Sequence, residues 1–370
     1  MPAQRFRKAV TGRVARTAAI ALTAAAVGGG VVAAVDAATA PAATAPATVV
    51  DTTPASTSAT PLGSARTVDF SAVYARRRSG VVSITTAGPR PGSASGVVID
   101  DEGHVLTNQH VVSGATGVTV ELADGRTATA EVLGTDPSTD LALLKIEVPA
   151  AELEPIPLGD SSQLAVGGPV LAIGDPFGYQ GSASAGIVSG LGRTIEAPNG
   201  FSITGAIQTD AAVNHGNSGG ALLNAAGELV GIPAQIADSG VDGDVGVAFA
   251  VPVDTAKQVI ATLSEGGQVE HAWLGVSTED VASRGGAEVN GLAAGGPAEA
   301  AGLSCGDVIT AAGDTAVRES GDLQGAVDAA APGAEIVLRV TGADGGKRSV
   351  TVTLGQRPAS AGSTAACPAG

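Results

Sequence analysis

Aromatic side chains are nearly absent from this sequence: its 370 residues include one Trp, two Tyr and five Phe. Its cores must therefore be built from Val, Ile, Leu and Ala, within the 44% of the chain that is hydrophobic. Positive charge is also scarce, with 20 Lys and Arg against 36 Asp and Glu and a net charge of −16. Because an acidic surface repels phosphate backbones, the composition argues against a nucleic-acid partner.

Signals for metals and nucleotides are missing as well. The sequence has neither a zinc-ligand cluster nor a phosphate-cradling P-loop, so we predict no cofactor and no metal. The acidic run "DSGVDGD" (238–244) does not have the spacing of an EF-hand calcium loop. We interpret it as a surface loop.

The first 35 residues have the pattern of an export segment. A basic stretch without acids, "MPAQRFRKAVTGRVAR", is followed by an uncharged apolar run at 17–35, and small residues near Ala37 suit a signal peptidase. A signal peptide is the favoured interpretation. The run is also long enough for a single membrane anchor, which would give membrane association through residues 17–35. Either reading places the rest of the chain outside the cytoplasm, as a secreted or cell-envelope protein.

Composition divides the remainder into a linker and a β-rich domain. Residues 36–65 are mainly Ala, Thr, Pro and Ser, and predict a disordered linker. Within 66–265 about twelve short apolar runs alternate with turn signals, which predicts an all-β sandwich or a pair of barrels. Helical spacing from Val253 predicts a closing helix that Gly266 ends.

A smaller second unit is predicted at 268–357. It contains a helix near 320–330 and ends in a hairpin whose turn includes residues 343–346. The tail at 358–370 is small and polar and is predicted to be flexible.

Three polar residues on separate elements suggest nucleophilic chemistry. His110 follows the run "HVLTN", Asp140 precedes "LALLKI", and Ser218 lies in "GNSGG". A serine hydroxyl needs a base to remove its proton, and the base needs a carboxylate to orient it. Glycines allow backbone N–H groups to face a developing anion, so GNSGG could supply an oxyanion hole. Taken alone, the same residues fit a tight turn and structural polar groups.

The surrounding motifs resemble the HtrA (Deg) family of trypsin-like serine proteases with a C-terminal PDZ domain. The matching segments are "SASGVVIDDEGHVLTNQHVV", "GTDPSTDLALLKI", "VLAIGDPFG", "AGIVSG", "QTDAAVNHGNSGG" and "GVAFAVPVD". The resemblance covers about residues 68–357 and implies a mainly β fold of two six-stranded barrels followed by the PDZ domain. It further implies a catalytic triad of His110, Asp140 and Ser218, and an oxyanion hole at Gly216, Asn217 and Ser218.

The residues before Ser218 predict the substrate preference. In trypsin-like enzymes the floor of the primary pocket lies six residues before the serine, at Ala212, between Ala211 and Val213. This small apolar pocket predicts loosely selective cleavage after Val, Ala or Leu.

Two residues depart from the family pattern. His215 replaces a proline, and is either a second titratable group near the site or an exposed loop histidine. Pro233 removes a backbone donor from the segment expected to pair with substrate.

The second unit resembles a PDZ domain on the strength of "WLGV" and "GPAEAAGLSCGDVIT". The resemblance implies that Trp273, Leu274, Gly275 and Val276 form the loop that binds a peptide C-terminal carboxylate. The peptide would add as a strand beside residues 276–278. Alone, "WLGV" also fits an ordinary buried strand.

The sequence thus predicts an extracytoplasmic, ATP-independent serine endopeptidase that degrades unfolded or damaged proteins and binds peptide C-termini through its PDZ domain. The alternative is a chaperone or scaffold that binds peptides there with little proteolysis. An esterase is disfavoured because GNSGG leads into the apolar run "ALL" rather than a helix.

Weaker signals concern assembly and regulation. Relatives use aromatics at the positions of Phe70 and Tyr74 to form a homotrimer, although core or surface packing explains these residues equally well. The two cysteines, Cys305 and Cys367, could form a disulfide in an export compartment. The resemblance also implies that the loops 192–203 and 236–245 correspond to the activation loops of relatives.

Overall fold

The computed structural model describes residues 68–236, 246–281, 285–358 and 365–367. The predicted export segment and linker lie outside the described residues, as do the acidic run 238–244 and most of the predicted tail. No helix in the described part of the chain is long and apolar enough to span a bilayer.

The first barrel follows helix α1 (Phe70–Arg77), whose N-terminus is capped by the Asp69 carboxylate accepting from the Ala72 N–H at 3.0 Å. Six antiparallel strands close in the order β1-β2-β3-β6-β5-β4, and a one-turn helix, α2 (Gln109–Val112), follows β3. Their bounds are β1 (Val81–Ala87), β2 (Gly92–Val98), β3 (His104–Asn108), β4 (Gly117–Glu121), β5 (Thr127–Asp136) and β6 (Leu141–Ile146).

The second barrel closes in the order β10-β11-β12-β9-β8-β7. Its strands are β7 (Pro169–Gly174), β8 (Ser182–Glu196), β9 (Ser202–Thr209), β10 (Ala221–Leu223), β11 (Leu229–Ile236) and β12 (Ala248–Pro252). Helix α3 (Val253–Ser264) then packs its buried stripe against the core of the barrels, and Gly266 follows with φ 74°. The structure thus has the predicted closing helix and its glycine stop.

The PDZ unit contains an antiparallel sheet in the order β14-β15-β16-β18-β19, to which β17 adds beside β16 and β21 beside β15. Strands β13 and β20 form a separate two-stranded sheet. The strands are β13 (Ala272–Trp273), β14 (Val276–Asp280), β15 (Ala287–Leu292), β16 (Val308–Ala312), β17 (Thr315–Ala316), β18 (Glu335–Thr341), β19 (Lys347–Thr353), β20 (Gly355–Gln356) and β21 (Ala365–Ala366). Helices α4 (Pro297–Ala300) and α5 (Ser320–Asp328) complete it.

Aliphatic side chains fill the cores, as the composition predicts. The largest fully buried side chains of the described residues are Ile and Leu, among them Ile84, Leu106, Leu144 and Leu222. A separate aliphatic cluster fills the PDZ unit. The mainly β class, with two six-stranded barrels and a PDZ domain, is confirmed.

Candidate functional site

His110 and Asp140 meet on the first barrel. His110 lies in α2, directly after β3, and Asp140 directly precedes β6, which pairs with β3. The His110 Nδ1 lies 2.7 Å from Asp140 Oδ2, and the His110 backbone N–H donates to Asp140 Oδ1 at 2.9 Å. The Asp140 side chain is fully buried, whereas the His110 side chain is 23% exposed. A buried carboxylate so placed fixes the imidazole ring and leaves Nε2 for substrate chemistry.

The backbone at Asp140 adopts a left-handed conformation with φ 55°. Asp is one of the few residues with a side chain that tolerates this region, and such strain costs roughly 1–3 kcal/mol. Its carbonyl accepts from the Gln109 N–H at 3.0 Å and from Asn108 Nδ2 at 2.9 Å. Four hydrogen bonds to residues 108–110 therefore hold the aspartate in place.

Ser218 lies in a tight turn between β9 and β10. Asn217 donates its N–H to the Asn214 carbonyl at 3.0 Å, and Ser218 accepts at its carbonyl from the Ser95 N–H at 2.9 Å. No hydrogen bond joins Ser218 to His110 among those of the described residues. Hydrogen bonds between a catalytic serine and histidine are often long without substrate and shorten when it binds.

Glycine is required in this turn. Gly216 has φ 100°, and a Cβ there would lie 2.2 Å from the Asp175 carbonyl oxygen. Gly219 has φ 80°, and a Cβ there would lie 2.2 Å from Thr107 Oγ1. The run GNSGG thus lets bare backbone pack closely on both barrels.

The turn leaves two of its donors for an anion. In the described part of the chain, no backbone–backbone hydrogen bond uses the N–H of Gly216 or of Ser218. Asn217 differs from the prediction, because its N–H closes the turn onto Asn214 and is not available to an oxyanion. The arrangement therefore offers the N–H groups of Gly216 and Ser218.

The residues predicted to line the primary pocket are small and apolar. Ala211 and Val213 are buried, and Ala212 is half-buried. The Ala212 N–H donates to Ser184 Oγ at 2.8 Å, so β8 fixes this segment. Among these residues there is no carboxylate for a basic substrate side chain.

The two departures from the family pattern sit close to this turn. His215 is exposed on the turn, as the loop-histidine alternative predicts. Pro233 lies in β11 opposite Ala250, next to a register shift, and its carbonyl accepts from the Gly219 N–H at 3.0 Å. The carbonyl is the only backbone hydrogen-bonding group of Pro233, and it therefore supports the GNSGG turn.

The PDZ groove lies between β14 and α5. Residues 273–276 line the groove on one side, and Leu323 and Val327 line it on the other. Gly275 has φ 80°, which turns the backbone between β13 and β14. The Ser320 N–H at the start of α5 donates to Asp280 at 2.7 Å and lowers the pKa of that carboxyl.

A protease turn also lines this groove, which the sequence did not reveal. Residues 192–203, expected to form one loop, are mostly the ends of β8 and β9, joined by a turn at 197–201. Gly200, Phe201 and Ser202 reach the groove. Asn199 Nδ2 donates to Gln109 Oε1 at 3.0 Å and to the Pro137 carbonyl at 2.8 Å, beside His110 and Asp140.

Polar contacts join the two domains. Asp328 accepts from Thr204 Oγ1 at 2.8 Å and pairs with Arg357. His271 Nε2 lies 2.8 Å from Asp136, whose carboxylate is 2% exposed and also accepts from Thr139 Oγ1. The sequence around Asp136 and Asp328 does not indicate that each carboxylate has a partner in the other domain. No group of residues suited to hold a metal occurs in the ranges that the structure describes.

Two family models match the chain. A trypsin-like peptidase domain matches residues 94–232, and a PDZ domain matches residues 272–354. The first model includes the His110, Asp140 and Ser218 positions, and the second includes the "WLGV" loop.

Solved structures and curated proteins similar to this chain are also proteases by their descriptions. A structure described as the HtrA-type protease AlgW with decapeptide is 33% identical, covers 79% of this chain and 99% of its own, and superposes with a TM-score of 0.66. The serine protease PepD of Mycobacterium tuberculosis is 39% identical over 74% of this chain and 62% of its own length. A probable periplasmic serine endoprotease, DegP-like, of Marinomonas sp. is 49% identical over 52% of this chain and 40% of its own. This chain therefore spans less than two thirds of these curated relatives.

Proposed function

The chain belongs to the HtrA family of trypsin-like serine proteases with a PDZ domain, and from that premise we propose that it is a serine endopeptidase. The observation that carries the proposal is the His110–Asp140 contact of 2.7 Å on a fully buried carboxylate. The GNSGG turn is tied through Ser95 to Thr107, on the strand that leads to His110. Both features lie within the trypsin-like peptidase match.

The proposed mechanism assigns roles to four residues. Ser218 Oγ attacks the substrate carbonyl while His110 Nε2 takes its proton, which His110 then gives to the leaving amine. Asp140 holds the imidazole and stabilises its charged form. The N–H groups of Gly216 and Ser218 bind the oxyanion, and the resulting acyl-enzyme is hydrolysed by water.

We propose that the substrates are unfolded or damaged proteins outside the cytoplasm. Cleavage follows small or medium aliphatic residues because Ala211, Ala212 and Val213, at the positions that relatives use for the primary pocket, are small and uncharged. The periplasmic names of relatives and the basic-then-apolar N-terminus support the location. Exposed peptide C-termini occupy the groove beside Trp273 and β14.

The same proposal includes a homotrimer formed through helix α1. Phe70 and Tyr74 in α1 are only partly buried, and the Tyr74 hydroxyl donates to the Gly181 carbonyl at 2.8 Å. Nearby, Tyr179 is 72% exposed. Light scattering of the secreted form should therefore give three times the chain mass, and a Tyr179→Ser variant should shift it toward the monomer.

The decisive experiment compares the wild type with Ser218→Ala in digestion of unfolded casein and in fluorophosphonate labelling. We expect the wild type to cleave and to be labelled at Ser218, more strongly when a hydrophobic C-terminal peptide is present, and the variant to do neither. Equal, negligible cleavage by both proteins would support the scaffold alternative and reject proteolysis.

A further inference from the structure

We propose that the Ser95 hydroxyl is a positioning group that holds the oxyanion turn in its productive orientation. The inference rests on the proposed protease function and adds one residue to that site. Ser95 lies on β2, is fully buried, and is outside the predicted triad and oxyanion residues.

Ser95 binds the turn at two carbonyls. Its hydroxyl donates to the Gly216 carbonyl oxygen at 2.7 Å, and its backbone N–H donates to the Ser218 carbonyl oxygen at 2.9 Å. The same hydroxyl oxygen accepts from the Asp175 N–H at 2.8 Å. The turn is therefore tied to β2 at both residues whose N–H groups remain available for an anion.

These bonds cross from one barrel to the other. Ser95 belongs to the first barrel, whereas Asp175 follows β7 and Gly216 precedes β10 in the second. Thr107 Oγ1 in turn donates to the Ser95 carbonyl at 2.7 Å, and Thr107 is also fully buried. Since Thr107 stands three residues before His110, the strand leading to the base and the turn carrying the nucleophile share Ser95 as an anchor.

An external restraint matters at Gly216, whose own N–H makes no backbone–backbone hydrogen bond in the described part of the chain. Gly216, at φ 100°, lacks the Cβ that would limit rotation of its peptide groups. An oxyanion hole accelerates the reaction only when its donors are already aimed at the developing charge. A hydrogen bond that fixes the Gly216 carbonyl therefore fixes ψ at Gly216 and with it the relation between the two donors.

A simpler reading is that Ser95 is a buried polar group that merely finds partners. Ser83 provides a control that distinguishes a positioning role from a merely buried hydroxyl. It faces Ser95 directly across the β1–β2 pair and is also buried. Its hydroxyl has no hydrogen-bond partner among the described residues. Ser83→Ala thus removes a buried hydroxyl from the same sheet without touching the turn.

The test measures full-chain wild type, Ser95→Ala, Ser95→Cys and Ser83→Ala. Steady-state hydrolysis of a fluorogenic peptide gives kcat and KM, a peptide boronate gives a transition-state-analogue Ki, and thermal melting reports folding. For Ser95→Ala we expect kcat to fall about 10- to 100-fold with KM within about threefold, less than the loss caused by removing an oxyanion donor itself. The boronate Ki should rise by the same factor as kcat falls.

Ser95→Cys keeps the size of the side chain with a weaker donor, so an intermediate loss is expected, and this variant replaces Ser95→Ala if the latter does not fold. Ser83→Ala should keep the wild-type kcat and Ki. The inference is overturned if the folded Ser95 variants keep wild-type kcat and Ki, if the loss appears only in KM, or if Ser83→Ala loses as much. An inactive wild type would instead reject the proposed protease function.

Discussion

At the scale of single residues, the best-defined feature is the bond network of Asp140. Its carboxylate receives the ring and backbone N–H of His110, and its carbonyl receives two donors from residues 108 and 109. A residue held in a left-handed conformation by so many bonds is positioned by its surroundings rather than by its own preference.

Asp140→Asn should leave the fold intact and abolish most activity. Asn tolerates the same backbone conformation, but its amide cannot serve as a charged acceptor for His110 Nδ1–H and favours the wrong tautomer. We expect kcat to fall about 10³- to 10⁴-fold while the melting temperature stays close to that of the wild type. Activity within tenfold of the wild type in a peptide-hydrolysis assay would contradict the assigned role.

The sequence predicted His110, Asp140 and Ser218 because each stands in a distinctive motif. It did not predict Ser95 as an anchor, although Ser95 lies within the motif "SASG", because the partners of its hydroxyl are backbone groups distant in sequence. Asn217 is a second example. The sequence places Asn217 in GNSGG, but it does not predict that its N–H bonds to the Asn214 carbonyl, because that depends on the folded turn.

At the scale of elements, the proposed role of the GNSGG turn depends on its backbone conformation. Gly216→Ala would place a Cβ 2.2 Å from the Asp175 carbonyl oxygen at a φ that Ala disfavours. The turn must shift, so we expect kcat to fall at least about 100-fold with little change in KM.

A matched control for this substitution is available in the turn between β4 and β5. Gly125 also has a positive φ, 84°, but a Cβ there meets no atom within 4 Å. Gly125→Ala should therefore carry the conformational cost without the displaced turn. If both variants lose kcat equally in the same assay, the loss does not come from the oxyanion turn.

Helix α3 should make stability depend on pH in the acid range. Lys257 Nζ and Ser161 Oγ bind Asp254 in its first turn and lower the pKa of Asp254 to about 2 from an ordinary value of 3.8. Because the folded-state pKa is depressed, the contribution is complete above about pH 4 and disappears as pH falls toward 2. The effect is modest, since this carboxylate is 38% exposed.

Urea unfolding between pH 2 and pH 6 measures this contribution. The wild-type midpoint should fall more steeply below pH 4 than that of Asp254→Asn, which lacks the ionisable group. Parallel curves for the two proteins would show that the Lys257 and Ser161 contacts do not matter for stability.

At the scale of the whole molecule, residues 365–367 are fastened to the PDZ unit. A disulfide joins Cys305 and Cys367 across 62 residues, the Cys367 N–H donates to the Asn290 carbonyl at 2.8 Å, and β21 pairs with β15. The sequence allowed this bridge but did not predict β21, since "STAACPAG" contains little that specifies a strand.

Reduction should loosen this unit selectively. Closing a loop of this length stabilises the folded state by roughly 2–4 kcal/mol, largely by restricting the unfolded chain. We expect a reductant to lower the PDZ melting temperature and to raise amide exchange at residues 290–292. A Cys305→Ser, Cys367→Ser double variant should melt at the lower temperature with or without reductant; a reductant-sensitive double variant would contradict this assignment.

The scarcity of aromatic residues has a practical consequence. The chain has a single tryptophan, Trp273, and it lines the PDZ groove. Indole emission excited at long ultraviolet wavelengths therefore originates from this one position, so the unlabelled protein carries its own optical reporter of groove occupancy. Titration with a C-terminal peptide should change its intensity or colour, and an amidated version of the same peptide should change it less.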